Sequence, residues 1–182
     1  IMLRYAMEDL IKWKSKKDRK PLIIRGARQV GKTWLMKEFG RTNFARVAYI
    51  SFDNNERMAS LFNGDLSIER LILGLKIESG VDIDAENTLI IFDEVQEVPR
   101  ALTSLKYFNE NAPEYAIIAA GSMLGVALHQ GTSFPVGKVE YLDLYPMSFT
   151  EYMEATGNGA LVKLIETRDF PLITDFKGKY ID

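Results

Sequence analysis

The chain has 182 residues, 47% of them hydrophobic and 26% charged, and a formal net charge of −2. This is an ordinary globular balance, sized for one domain or for one domain with a fragment of a second, and its charge makes no global electrostatic case for nucleic acid. There is no cysteine, which excludes disulfides, cysteine nucleophiles and thiolate metal sites and agrees with a cytoplasmic protein; no apolar run approaches the roughly 20 residues that span a membrane.

The start, Ile1-Met2-Leu3-Arg4-Tyr5, has no apolar run behind it and is not a signal peptide. Ile1 is not a normal first residue, so the sequence is expected to begin at a boundary or a trimmed end. Tyr5 to Lys14 reads as a short helix packing through Tyr5, Leu10, Ile11 and Trp13. A basic run follows, with Lys12, Lys14, Lys16, Lys17, Arg19 and Lys20. It could contact a phosphate backbone, but no aromatic interleaving suggests base stacking, so it reads as a solvated helix end and linker.

Pro21 opens a first strand, Leu22-Ile23-Ile24. Gly26, Ala27, Arg28, Gln29, Val30, Gly31, Lys32 and Thr33 then spell G-x-x-x-x-G-K-T, the P-loop, between a strand and a helix. Its glycines let the backbone wrap closely around an anion, and the loop N–H groups and the helix N-terminus point at phosphate. Lys32 can reach the β- and γ-phosphates, and the Thr33 hydroxyl can ligate Mg²⁺. The helix runs from Thr33 through Trp34, which completes the expected nucleotide cradle, to Phe39, with Gly40 as its stop.

Arg46 to Phe52 reads as a second strand, and Asp53-Asn54-Asn55 as its break and the cap of the next helix. Glu56 to Phe62 and Ser67 to Ile77 look helical. Asp82, Asp84 and Glu86 alternate like metal ligands but lack the glycine turn and closing glutamate of a calcium loop, so they read as a solvated acidic loop. Thr88 to Phe92 is apolar enough for a strand buried on both faces. Asp93 and Glu94 emerge at its C-terminal end, where open α/β sheets bind ligands. This is a Walker B pattern: Asp93 would hold Mg²⁺, mainly through water, and Glu94 would act as general base on the attacking water.

Pro99 to Asn111 is the next helix. Ala116 to Ala120 is a small-residue strand ending at Gly121-Ser122, suited to lie beside the P-loop strand. Ser122 would then emerge near the γ-phosphate, or cap a helix from Met123 to His129, and both can hold together. His129, the single histidine, reads as structural at that helix end. Gly131 to Phe134 is a loop, Val136 to Leu144 a fifth strand, and Phe149 to Ala155 a helix with a capping box at Ser148 and Glu151. Residues 1–156 form the expected core, and residues 157–182 read as a linker and the truncated start of a lid.

Gly26 to Thr33, Asp93-Glu94 with Val95-Gln96, and Gly121-Ser122 occur in the order of AAA+ ATPases. Arg4-Tyr5, the run Asp93 to Pro99 and the run Leu144 to Tyr152 narrow this further. Over residues 4 to about 155 the chain resembles the prokaryotic AAA+ ATPases that carry a nuclease-like C-terminal domain. The resemblance implies a three-layer α/β/α fold with a parallel sheet in the order 5-1-4-3-2, ATP as nucleotide, Ser122 in the sensor position and possible homo-oligomers. It also implies an arginine finger in many members, for which Lys138, Arg168 and Arg100 are the weak candidates here.

The implied activity is Mg-ATP hydrolysis coupled to a C-terminal domain. The alternative is a slow or non-hydrolysing nucleotide switch, in a signalling or defence module, built on the same residues. A small-molecule phosphotransferase would need a second pocket and lid arginines, and the adjacent Glu94 favours water as acceptor. No Asn-Lys-x-Asp stretch for reading guanine occurs.

Overall fold

The computed structural model describes residues 4–27, 30–122, 124, 137–144, 157, 160 and 163. The chain divides into a unit spanning Tyr5–Leu144 and a second made of Ile1–Arg4 and Tyr145–Asp182. In the second, Gly157 turns with φ 82°, and Ala160 and Lys163 are helical. The capping box at Ser148 and Glu151, the loop from Gly131 to Phe134, His129 and Arg168 lie outside the described residues, as does most of the segments 123–129 and 157–182.

The larger unit runs α1 (Arg4–Ser15), β1 (Leu22–Arg25), α2 (Lys32–Asn43), β2 (Arg46–Ser51), α3 (Glu56–Asn63), α4 (Ile68–Ser79), β3 (Thr88–Asp93), a 3₁₀ turn (Val95–Glu97), α5 (Pro99–Asn111), β4 (Ala116–Gly121) and β5 (Glu140–Asp143). All strand pairs are parallel, in the order β2-β3-β4-β1-β5. Read from the other edge this is 5-1-4-3-2. β3 and β4 are buried along their whole length, whereas the edge strands β2 and β5 alternate in exposure, as expected where only central strands are covered on both faces.

Register sorts the strand residues into two faces. Ile23, Ala48, Ile50, Ile90, Phe92, Ile117 and Ala119 join the core formed with α3, α4 and α5. There Phe52, Phe62 and Phe92 meet edge-on, with ring centroids 5.3–5.6 Å apart. The opposite face takes α2. Trp13 of α1 joins it there, its ring 6.3 Å from that of Phe39 and its indole N–H donating to Lys20 O at 2.8 Å.

Gly40 does not stop α2, which continues to Asn43. A Cβ at Gly40 would lie 2.6 Å from Val47 Cγ2 and 3.2 Å from Leu89 Cδ2. The glycine serves the close approach of helix to sheet, and that contact stabilises a helix its propensity would weaken. The cap expected after β2 is Asn55, whose side chain accepts from Met58 N at 3.1 Å. α4 ends at Gly80, with φ 68°, its N–H returning to Lys76 O at 2.9 Å. The fifth strand is shorter than expected, Glu140–Asp143. It is fixed to β1 by a two-bond contact of Arg25 with Asp143, at 2.7 and 3.0 Å.

The basic run is largely engaged within the chain. Lys14 donates to Asn43 O, Lys16 pairs with Glu140, Arg19 donates to Glu114 O at 3.0 Å and Lys20 to Gly137 O at 3.0 Å. The acidic loop is likewise structural: Asp84 Oδ1 accepts from the N–H groups of Glu86 and Asn87, at 3.0 and 2.6 Å, and Asp84 pairs with Arg46.

Phe62 is fully buried in the aromatic cluster with Phe52 and Phe92. Phe62→Ala is expected to cost about 3–5 kcal/mol of stability, measured by urea denaturation.

Candidate active site

Parallel pairing brings the carboxyl ends of β1, β4 and β3 to one edge, with β4 in the middle. Arg25 pairs with Gly121 in register, and Ser51 with Asp93. The loop after β1, the acid pair after β3 and Ser122 after β4 therefore converge at that edge.

Both ends of the loop, Gly26 and Gly31, are under backbone constraint. A Cβ at Gly26 would sit 2.5 Å from the Leu144 carbonyl oxygen and 3.1 Å from Val30 Cγ2. Gly31 turns into α2 with φ 88°, a left-handed conformation favouring glycine, and gives the helix no side-chain cap. The first bond of α2 is Leu35 N to Gly31 O, 3.0 Å. The N–H groups of Lys32, Thr33 and Trp34 thus belong to the helix's open first turn, where the helix dipole also favours an anion. The Trp34 side chain is 58% exposed, so its contribution to a phosphate cradle is its backbone N–H. Ala27 lies exposed in the loop; Arg28 and Gln29 lie outside the described residues.

Lys32 is 8% exposed. Its ammonium group donates to Gly26 O at 2.9 Å and Ala27 O at 2.6 Å, closing the loop on itself. Burial lowers its pKa, and the nearby charges of Glu94 and Asp93 oppose that shift. The site thus carries a desolvated cation near two acids without a direct ion pair, free to exchange its carbonyl partners for a phosphate oxygen.

Asp93, 3% exposed, is the junction. Its Oδ2 accepts from Thr33 Oγ1 at 2.6 Å and from the Tyr49 hydroxyl at 2.7 Å; its Oδ1 accepts from Glu94 N at 2.9 Å. Among the described residues no group of three or more His, Cys, Asp and Glu gathers to cage a metal. The donors at hand are hard oxygens, Thr33 Oγ1 and the Asp93 carboxylate. That set fits Mg²⁺, which takes one or two protein oxygens together with substrate phosphates and water.

Glu94 leaves the strand with φ 53° and ψ 41°, left-handed for a residue with a side chain. Such a conformation costs on the order of 1–3 kcal/mol and persists where surrounding contacts impose it. Its carboxylate Oε2 accepts from Gln96 Nε2 at 2.6 Å. Ser122 follows Gly121 directly at the end of β4 and is half-buried.

The sequence reading assigned no role to Tyr49 or Gln96. Tyr49 is reachable only through register, because β2 must pair with β3 before its hydroxyl can meet Asp93. Gln96 follows Glu94 at a distance that means nothing until the 3₁₀ turn is known. Two arginine-finger candidates are committed elsewhere: Arg100 donates to Phe62 O at 2.7 Å and Gly64 O at 3.1 Å, and Lys138 pairs with Glu110 at 3.6 Å.

A family model described as an AAA domain matches residues 18–153. Solved structures share the fold at low identity. A Walker-type ATPase of Pyrococcus abyssi superposes with a TM-score of 0.56 at 18% identity, covering 87% of this chain and 58% of that one. Drosophila ORC bound to DNA gives 0.57 at 14%, covering 85% and 46%. A DNA replication initiation factor gives 0.52 at 19%, covering 91% and 51%. The chain thus spans about half the length of these proteins, and the likeness is one of fold. No curated protein matches the chain.

Burial first, and then the bond to Asp93, push the Tyr49 hydroxyl above the ordinary tyrosine value of 10.0. A raised value favours the neutral phenol in the folded state. The stability this contributes is complete below pH 10 and is lost as pH rises through the folded value. In a spectrophotometric titration Tyr49 is expected among the last tyrosines to ionise, and Tyr49→Phe is expected to remove that late step.

Proposed function

Because the chain belongs to the AAA domain family, a family of nucleotide-binding ATPase type, we propose that it binds Mg-ATP at the carboxyl ends of β1, β3 and β4 and hydrolyses the terminal phosphate. The observation that carries this reading is the 2.6 Å bond from Thr33 to Asp93. It joins the start of the phosphate-binding helix to the acid at the end of β3, the two protein oxygens that Mg²⁺ coordination requires together.

In this reading the N–H groups from Gly26 to Trp34, with Arg28 and Gln29 among them, cradle the phosphates. Lys32 exchanges its bonds to Gly26 O and Ala27 O for phosphate oxygens, and its charge stabilises the transferring group. Thr33 and Asp93 would hold Mg²⁺, which when bound would neutralise charge on the transferring phosphates. Glu94 accepts a proton from water as that water attacks in line, and Ser122 orients the water.

A second reading rests on the commitments of Arg100 and Lys138 inside the fold. With those cations engaged, slow turnover that waits on a second subunit or on further polypeptide fits a nucleotide-dependent switch. Coupling to a C-terminal domain, homo-oligomerisation through this core and a cytoplasmic setting complete the proposal.

Lys32→Ala is expected to abolish most ATP affinity, measured by calorimetry, since it removes a charge-assisted contact to phosphate; unchanged affinity would sink the P-loop assignment. Glu94→Gln is expected to keep affinity and lower turnover by roughly 10²–10⁴-fold. Wild-type turnover rising faster than protein concentration would favour the ATPase completed between subunits. Tight binding with no turnover would favour the switch.

A further inference from the structure

We propose that Gln96 is a positioning residue for the Glu94 carboxylate, seated in place by the absence of a side chain at Gly121. This deepens the hydrolytic reading of Glu94 and rests on it.

Glu94 turns left-handed at the end of β3 and opens the 3₁₀ turn Val95–Glu97, closed by Glu97 N donating to Glu94 O at 3.1 Å. This tight turn brings the Gln96 amide back onto the Glu94 side chain. Nε2 donates to Oε2 at 2.6 Å, a short charge-assisted bond. The other end of the same amide, Oε1, is buried and has no hydrogen-bond partner among the described residues.

A glutamine amide can be turned end for end in nearly the same volume. Turned here, it would set Oε1 against the Glu94 carboxylate, two acceptors with no proton between them. The contact with Glu94 therefore fixes the amide's direction, and the orphaned Oε1 is the consequence of that choice. Most buried polar atoms find a partner, so an exception this close to the acid pair marks a constraint imposed by the site.

Gly121 makes room for the amide. A Cβ there would lie 2.1 Å from Gln96 Oε1 and 3.2 Å from its Cδ. Gly121 closes β4 and precedes Ser122, so the amide is wedged between the base and the strand that carries Ser122. Glu94 has a flexible side chain, and the bond from Gln96 selects one orientation of its carboxylate. Holding a base in a single orientation toward water is worth large factors in rate without adding affinity for the nucleotide.

The test uses the full chain, with nucleotide affinity and Mg-ATP turnover measured separately. Gln96→Ala is expected to lower kcat by at least about ten-fold while leaving the nucleotide Kd unchanged. Gly121→Ala is expected to lower kcat similarly when Gln96 is present, and to add little in the Gln96→Ala background, because both changes act through one contact. Unchanged kcat in Gln96→Ala, or full additivity of the two, overturns the proposal. Glu94→Gln separates the levels. If it loses turnover while Gln96→Ala does not, only the positioning role falls; if Glu94→Gln retains turnover, the base assignment falls with it. A measurement independent of turnover is the Gln96 side-chain amide resonance, identified by its loss in Gln96→Ala. It is expected to shift in Glu94→Ala and in Gly121→Ala without nucleotide, and a resonance unmoved by either overturns the contact.

Discussion

Asp93 accepts hydrogen bonds from three separate places in the chain. Thr33 donates from the first turn of α2 and Tyr49 from β2, both to Oδ2, while the Glu94 N–H donates to Oδ1. A carboxylate buried this deeply is tolerated only when donors replace the water it has lost. Those donors in turn hold the helix over the end of β3 and tie the sheet edge to the loop. Losing the carboxylate would leave the Thr33 and Tyr49 hydroxyls without their acceptor, with effects reaching well beyond one ligand position.

Around this junction the backbone is under constraint at four points. Gly26 lies too close to the Leu144 carbonyl for a side chain, and Gly121 too close to the Gln96 amide. Gly31 and Glu94 both turn left-handed. At Glu94, the one of the four with a side chain, this is strain, and it survives where neighbouring contacts over-determine it. The neighbours here are the central strands β3 and β4, buried on both faces. The site is assembled at the ends of the strands buried along their whole length, and the geometry of its acids follows from how those strands end.

The same economy of contacts appears at the surface. Charges that could suggest recognition are used within the chain: Lys16 with Glu140, Arg46 with Asp84, Arg57 with Glu78. Exposed pairs of this sort contribute little to stability singly. They fix where loops and edge strands lie, as Arg25 and Asp143 do for β5.

Much of the arrangement was legible because it is written locally. Four apolar residues before Asp93 mark a doubly buried strand, the spacing of Gly26, Gly31, Lys32 and Thr33 marks a loop entering a helix, and Asn55 marks a cap; each pattern depends on neighbours a few residues away. Gly40 misled for the same reason. Its local preference signals a helix end, but Val47 and Leu89 need its missing side chain, and helix-to-sheet packing outweighs propensity. Tyr49 carries no local signal at all, and the run that includes Gln96 gives no local signal of the contact its side chain makes. The sequence by itself determined the elements, their order and the residue types offered at the sheet's carboxyl edge. The tertiary structure alone decided that the Tyr49 hydroxyl reaches Asp93 and that Gln96 lies between Glu94 and Gly121, because strand register and a left-handed turn bring together groups whose sequence separation says nothing of their distance.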